Sequence, residues 1–204
     1  MVPALHILTD DEIVARPDFL ARAAALMHVV GPNGALHLRA RTLGGRAMYD
    51  LATALRPIAA TTGAMLVIND RLDVALAASI DAVQLTARSL TVAEARAIHP
   101  AWRIGLSIHA PVSTTGADWL VAGHVFDTPS HATEPPRGLA WVTAVCAATT
   151  APVIAIGGIR PADVAALRAA GAHGVAVIGG IWDATDVERA AADYLTAISR
   201  GSDV

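Results

Sequence analysis

Short apolar runs alternate with longer amphipathic stretches along the whole chain, eight times over. The runs fall at residues 5–9, 35–39, 65–69, 82–86, 103–109, 119–126, 153–159 and 174–180. A run that is apolar at nearly every position fits a parallel strand buried on both faces. Parallel neighbours need a crossover, and the stretches between the runs supply it. Helices are expected at 19–30, 46–60, 72–79, 91–99, near 113, through 141–148, at 162–170 and at 185–199. Eight strand–helix units with short connections and right-handed crossovers predict an α/β protein, a closed (β/α)8 TIM barrel, rather than an open sheet. At 204 residues the chain is at the short end for such a barrel, and one domain over 1–204 is the expectation.

The last two runs each end in a glycine pair, Gly157-Gly158 and Gly179-Gly180. Glycine leaves backbone N–H groups open to close approach, and the last two strands of this fold commonly hold a phosphate beside a helix N-terminus. These four glycines are the expected phosphate anchor. The competing explanation is that they only turn tight corners.

Composition narrows the function. Net charge is −3, with no basic or acidic block, which points away from nucleic acid and anionic membrane as partners. Hydrophobic residues make up 54% and no uninterrupted apolar stretch approaches a membrane span, as suits a buried sheet with alanine-rich helices. All 15 basic residues are arginine, so chemistry through a lysine Schiff base is excluded. Cys146 is the one cysteine, and no secretory leader is apparent at the start, so a reducing, cytoplasmic setting is the expectation.

Chemistry in this fold sits where strands end. Those ends carry Thr9-Asp10, His37 to Arg39, Asn69-Asp70, Gln84 to Thr86, Ser107 to His109 and Gly123-His124. Arginine suits bidentate recognition of an oxyanion, which makes Arg39 and Arg41 candidates. Asp70 is a candidate to polarise a substrate or to cap the following helix. Three histidines reach the rim, His37, His109 and His124, and imidazole exchanges protons near neutral pH. Their spacing is not diagnostic of zinc, and no metal or other cofactor is expected. His6, His28, His99, His131 and His173 read as structural. The segment 127–137, rich in Pro, Ser, Thr and charge, is a candidate binding loop or lid.

These residues resemble a known family. The segments 5–10, 68–71, 105–109 and 123–128, with the two glycine motifs, are similar in order and over nearly the whole chain to the thiamine phosphate synthase superfamily. Gly123-His124-Val125-Phe126-Asp127-Thr128, with Arg137-Gly138 beyond it, looks most like the superfamily's second branch, the thiazole tautomerases (TenI-type proteins). Synthases usually carry proline where this chain has His124. They commonly read Gln-Leu-Arg-Glu-Lys where this chain has His37-Leu38-Arg39-Ala40-Arg41, and have magnesium-binding acids where it has Thr86-Ala87-Arg88-Ser89.

The resemblance implies an isomerase of thiamin biosynthesis that aromatises a thiazole carboxylate phosphate tautomer. His124 would move the proton. Arg39, Asn69, Gln84, Ser107, His109 and Thr128 would orient the substrate, and Gly157, Gly158, Gly179 and Gly180 would hold its phosphate. Asn69 and Ser107 rest on motif match, the others on position at the rim. The ligand would be a small thiazole phosphate, and related proteins suggest a homo-oligomer. Two alternatives remain: a thiamine phosphate synthase joining a pyrimidine pyrophosphate to a thiazole phosphate, and a non-catalytic regulator that binds the thiazole phosphate.

Overall fold

Eight parallel strands close on themselves in sequence order. The computed structural model describes residues 1–112, 116–129 and 133–200. The strands are β1 (Leu5–Leu8), β2 (Gly34–Leu38), β3 (Met65–Asn69), β4 (Ala82–Leu85), β5 (Arg103–Ile108), β6 (Trp119–Gly123), β7 (Val153–Ile156) and β8 (Gly174–Val177). The α-helices are α1 (Asp11–Val14), α2 (Phe19–Val30), α3 (Gly45–Thr62), α4 (Leu72–Ala77), α5 (Val92–Ile98), α6 (Gly138–Ala148), α7 (Val164–Ala169), α8 (Gly179–Trp182) and α9 (Val187–Arg200). The (β/α)8 expectation is met. None of the described helices is long and apolar enough to cross a membrane.

Strand alternation divides the apolar side chains into two layers. Leu5, Ile7, Leu36, Leu38, Ile68, Val83 and Leu85 face the helices and pack with Phe19, Leu26, Met48, Trp182 and Tyr194. Leu8, Ala35, Val67, Trp119, Val121, Ile154 and Ala176 fill the barrel interior. Polar residues share that interior: His6, His37, Asn69 and Gln84 are all buried. The closing seam pairs Leu5 with Val175, and Val175 N–H donates to the Ala4 carbonyl at 2.9 Å. A Cβ on Gly174 would overlap that carbonyl, so only glycine lets the first and last strands meet there.

Local chemistry explains where elements begin. Thr91 and Glu94 form a capping box at the start of α5, as their spacing predicts. The four-residue α1 is too short to show periodicity, yet Asp10 caps it by accepting from Ile13 N–H at 2.9 Å. Pro161 opens a 3-10 turn, and α7 starts only at Val164. Strand β6 stops at Gly123 rather than 126, because Val125 and Phe126 N–H leave the ladder to donate to the Ile156 and Gly157 carbonyls. Gly179 and Gly180 sit in the first turn of α8 rather than in a loop. The helix expected near 113, and His131, lie outside the described residues.

Candidate active site

The carboxyl ends of the strands bring most of the expected groups to one mouth. Arg39 follows β2, half-buried. Thr9 holds its backbone: Thr9 Oγ1 accepts from Arg39 N–H at 2.9 Å and lies 3.0 Å from the Arg39 carbonyl. Burial pushes the Arg39 guanidinium below its usual range, and Arg41 adds to this while Asp70, Asp10 and Asp11 oppose it. The side chain of Arg39 makes no hydrogen bond or ion pair with the described residues. A guanidinium stays charged under such a shift, so Arg39 is a partly desolvated cation at the mouth, suited to an oxyanion. Beside it, Asp11 accepts from the N–H groups of Arg41 and Thr42 and from Thr42 Oγ1, contacts that hold its carboxyl down to about 2.

Asn69 ends β3, with its amide 3.0 Å from His37 Nδ1. Asp70 follows in a left-handed conformation, φ 60°. It does not cap α4, whose first-turn amides receive no side-chain cap. Its Oδ1 accepts instead from Thr86 Oγ1 at 2.8 Å and from Ser89 Oγ. The competition is local: an exposed carboxylate within reach of two hydroxyls satisfies itself across the β3–β4 rim.

Gln84 and Ser107 form a unit one layer down. Gln84 Oε1 accepts from Trp119 Nε1 at 2.9 Å, and Gln84 Nε2 donates to Ser107 Oγ at 3.1 Å. The register explains the meeting, since Gln84 lies beside Gly105 and Gly105 beside Trp119. A Cβ at Gly105 would overlap both side chains. Gln84 is therefore committed to its neighbours, Trp119 and Ser107. Its signal in sequence would have been the Gln84–Gly105–Trp119 alignment, which requires the register.

His109 is exposed, with its carbonyl taken by Arg137 Nη1 at 2.8 Å, and Thr128 is half-buried. The guanidinium of Arg137 lies over the Trp141 ring, 5.0 Å from its centre. His124 is buried, with Nε2 3.2 Å from the Glu134 carbonyl. The three rim histidines do not converge on a metal: among the described residues no three His, Cys, Asp or Glu side chains do. Gly157 (φ 107°) and Gly158 (φ 65°) adopt backbone that side chains rarely take, and a Cβ on either would overlap His124 Cβ or the Asp127 carbonyl. Close packing of the β6 exit on the β7 exit thus accounts for that pair by itself. At the other pair, a Cβ on Gly180 would come 2.6 Å from the Tyr194 hydroxyl, and the first bonds of α8 run from Ile181 and Trp182 N–H to the Ile178 carbonyl. A hollow lined by Ala4, Asn33, Leu195 and Ser199 lies at the opposite end of the barrel, with none of these groups.

Comparison with known proteins gives the family. The family described as thiamine monophosphate synthase matches residues 5–181. The chain belongs to that family. It is 40% identical to a thiamine-phosphate synthase of Methanoculleus marisnigri over 196 residues, covering 92% of this chain and 91% of that one. It is 37% identical to a thiamine-phosphate synthase of Salinispora arenicola, covering 96% and 97%. A solved structure, thiamine phosphate pyrophosphorylase from Pyrococcus furiosus, superposes with a TM-score of 0.85 at 28% identity, over 97% of this chain and 96% of that one.

These relatives overturn the isomerase expectation. The superfamily assignment stands, but the relatives at this level of identity are synthases, not thiazole tautomerases. The choice of branch rests on the 123–128 motif with His124, on Arg137-Gly138 and on the departures from the synthase pattern at 37–41 and 86–89. A single imidazole fits many local environments, and here it packs between the β7 exit and the Glu134 carbonyl. The magnesium that the synthase pattern implies finds an incomplete set. Asp70 is the one carboxylate at the β3–β4 rim, two hydroxyls occupy its Oδ1, and Arg88 stands where acids are expected. The residues present do not reproduce that site.

Proposed function

We propose that this protein is a transferase of the thiamine-phosphate synthase kind, joining a pyrimidine pyrophosphate to a thiazole phosphate. The observation that carries this reading is 40% identity to a named synthase over nine-tenths of both chains. In the reaction a bond forms between the thiazole nitrogen and the methylene carbon of the pyrimidine. The bond from that carbon to the pyrophosphate oxygen breaks, and pyrophosphate leaves with the electron pair. The site's task is then to hold two phosphorylated groups in line and to stabilise charge on the leaving group.

The residues support a division of that task. Arg39, desolvated and without a side-chain partner among the described residues, would hold the leaving pyrophosphate. The exits of β7 and β8, with Gly157, Gly158, Gly179 and Gly180, would receive the thiazole monophosphate. Asn69, Ser107, His109 and Thr128 would orient the rings, with Gln84 fixing Ser107. This chemistry needs no proton shuttle between carbons, so His124 is left with a packing role.

The test is an assay of purified protein with both substrates, following thiamine phosphate and released pyrophosphate. Stoichiometric formation of the two is expected. Saturable binding of both substrates without product would overturn the reading and leave a ligand-binding protein.

A further inference from the structure

Two imidazoles run down the barrel interior beneath Asn69, and neither touches solvent. His37 and His6 are both fully buried. His37 Nε2 lies 2.8 Å from His6 Nδ1, and His6 Nε2 lies 3.1 Å from the Pro3 carbonyl. At the top, His37 Nδ1 faces the Asn69 side-chain amide at 3.0 Å, opposite its Oδ1. The column thus links the floor of the barrel to its mouth through three hydrogen bonds.

Counting donors fixes the direction of this column. A carbonyl only accepts, so His6 Nε2 carries a hydrogen. Neutral His6 then presents a lone pair at Nδ1, and His37 Nε2 must donate to it. Neutral His37 in turn presents a lone pair at Nδ1, so the Asn69 atom opposite must donate. Only Nδ2 can. An amide rotated by half a turn fills the same space, and its hydrogen bonds decide which atom faces which way. With Oδ1 facing His37, the column would need one more proton, making either His37 or His6 an imidazolium.

The surroundings oppose that extra proton. Burial acts first on His6; His37, His173 and Arg103 also repel a cation there, only the Pro3 carbonyl favours one, and its other close ring is that of Trp119. Burial, with these neighbours, holds His6 well below its ordinary value. Burial brings His37 to about 4. Both rings are neutral at pH 7.

We infer that His6 and His37 are positioning residues that lock the Asn69 amide with Nδ2 turned into the barrel and Oδ1 turned to the mouth. Asn69 then offers the ligand an acceptor. The ligand group above it must donate, as an amino or hydroxyl group does, and a carbonyl or bare ring nitrogen is disfavoured there. The direction of the column stands on the three contacts together with the burial that keeps both rings neutral. The consequence for substrate rests on the transferase reading.

Two measurements test this. Long-range 15N–1H correlation on the histidine-labelled protein at pH 7, assigned with His37→Gln, should show both rings as neutral Nε2–H tautomers. An Nδ1–H tautomer at His37, or an imidazolium at either ring, overturns the inference, whatever the enzyme's activity. In the transfer assay His37→Gln, which keeps one donor and one acceptor, should retain the KM for the pyrimidine pyrophosphate. His37→Leu, which leaves Asn69 nothing to donate to, should raise that KM about tenfold with kcat changed far less. An unchanged KM in a folded His37→Leu protein overturns the positioning role. If no variant and no wild-type protein turns over, the transferase reading fails while the tautomer result stands.

Discussion

The mouth of the barrel has two unlike sides. Around β7 and β8 the chain exits on glycines, and the backbone itself shapes the surface. Around β2, β3 and β4 the surface is made by side chains that hold one another: Thr9 on Arg39, His37 on Asn69, Thr86 and Ser89 on Asp70. One side is specified by what its residues lack, the other by pairings between distant positions. The β7 exit, at Gly157 and Gly158, therefore tolerates no added atom, whereas the side-chain side tolerates exchange but not the loss of a partner.

The largest effect should come from breaking the glycine side. Gly157→Ala adds a Cβ against His124 at φ 107°. Strain and overpacking together should cost about 4 kcal/mol, lowering Tm by roughly 12 °C in a calorimetric scan. A shift under a few degrees would show that the β6 exit yields easily.

The side-chain side should reveal itself through pH. His37 sits at about 4 when folded and near the ordinary 6.5 when unfolded. Its contribution is complete above pH 6.5. Below that the unfolded chain takes up a proton that the folded barrel refuses, so stability falls on descending towards pH 4, by about 3 kcal/mol in total. His6 adds in the same direction. Urea titrations at pH 7 and pH 5 would measure the slope, and His37→Gln should flatten it.

A functional contrast comes next. Arg39→Ala removes a guanidinium that makes no hydrogen bond or ion pair with the described residues, so folding should be unaffected. It should lower kcat/KM for the pyrimidine pyrophosphate about a hundredfold. The smallest effect belongs to neither side. Thr91→Ala removes half of the α5 capping box and touches none of the groups assigned to the ligand, and should cost about 1 kcal/mol in denaturant titration.

What was readable from residues alone follows the same division. Eight buried runs announce the barrel because burial on both faces is written in each run, and the glycine pairs announce the β7 and β8 exits. The capping box of α5 is likewise local. The polar interior is not local. His37 meets Asn69 32 positions away, and Gln84 meets Trp119 35 positions away, so the strand register has to be known first. His6 passes for an ordinary structural histidine until its two partners are seen. Asp70 looked like a helix cap, and only the β3–β4 rim shows the two hydroxyls that claim it. The isomerase expectation failed for a related reason: the short segments 123–128, 137–138, 37–41 and 86–89 separate the branches less well than similarity over the whole chain.

The seam between Leu5 and Val175 bears on how the protein is made. A ribosome delivers β1 long before residues 174–177, so the outer edge of the first strand waits without its neighbour through most of synthesis. Four residues, three of them apolar, are a small adhesive edge, but one open to other nascent copies. Crowded expression should therefore favour aggregation of incomplete chains, and slower translation or an early chaperone should relieve it.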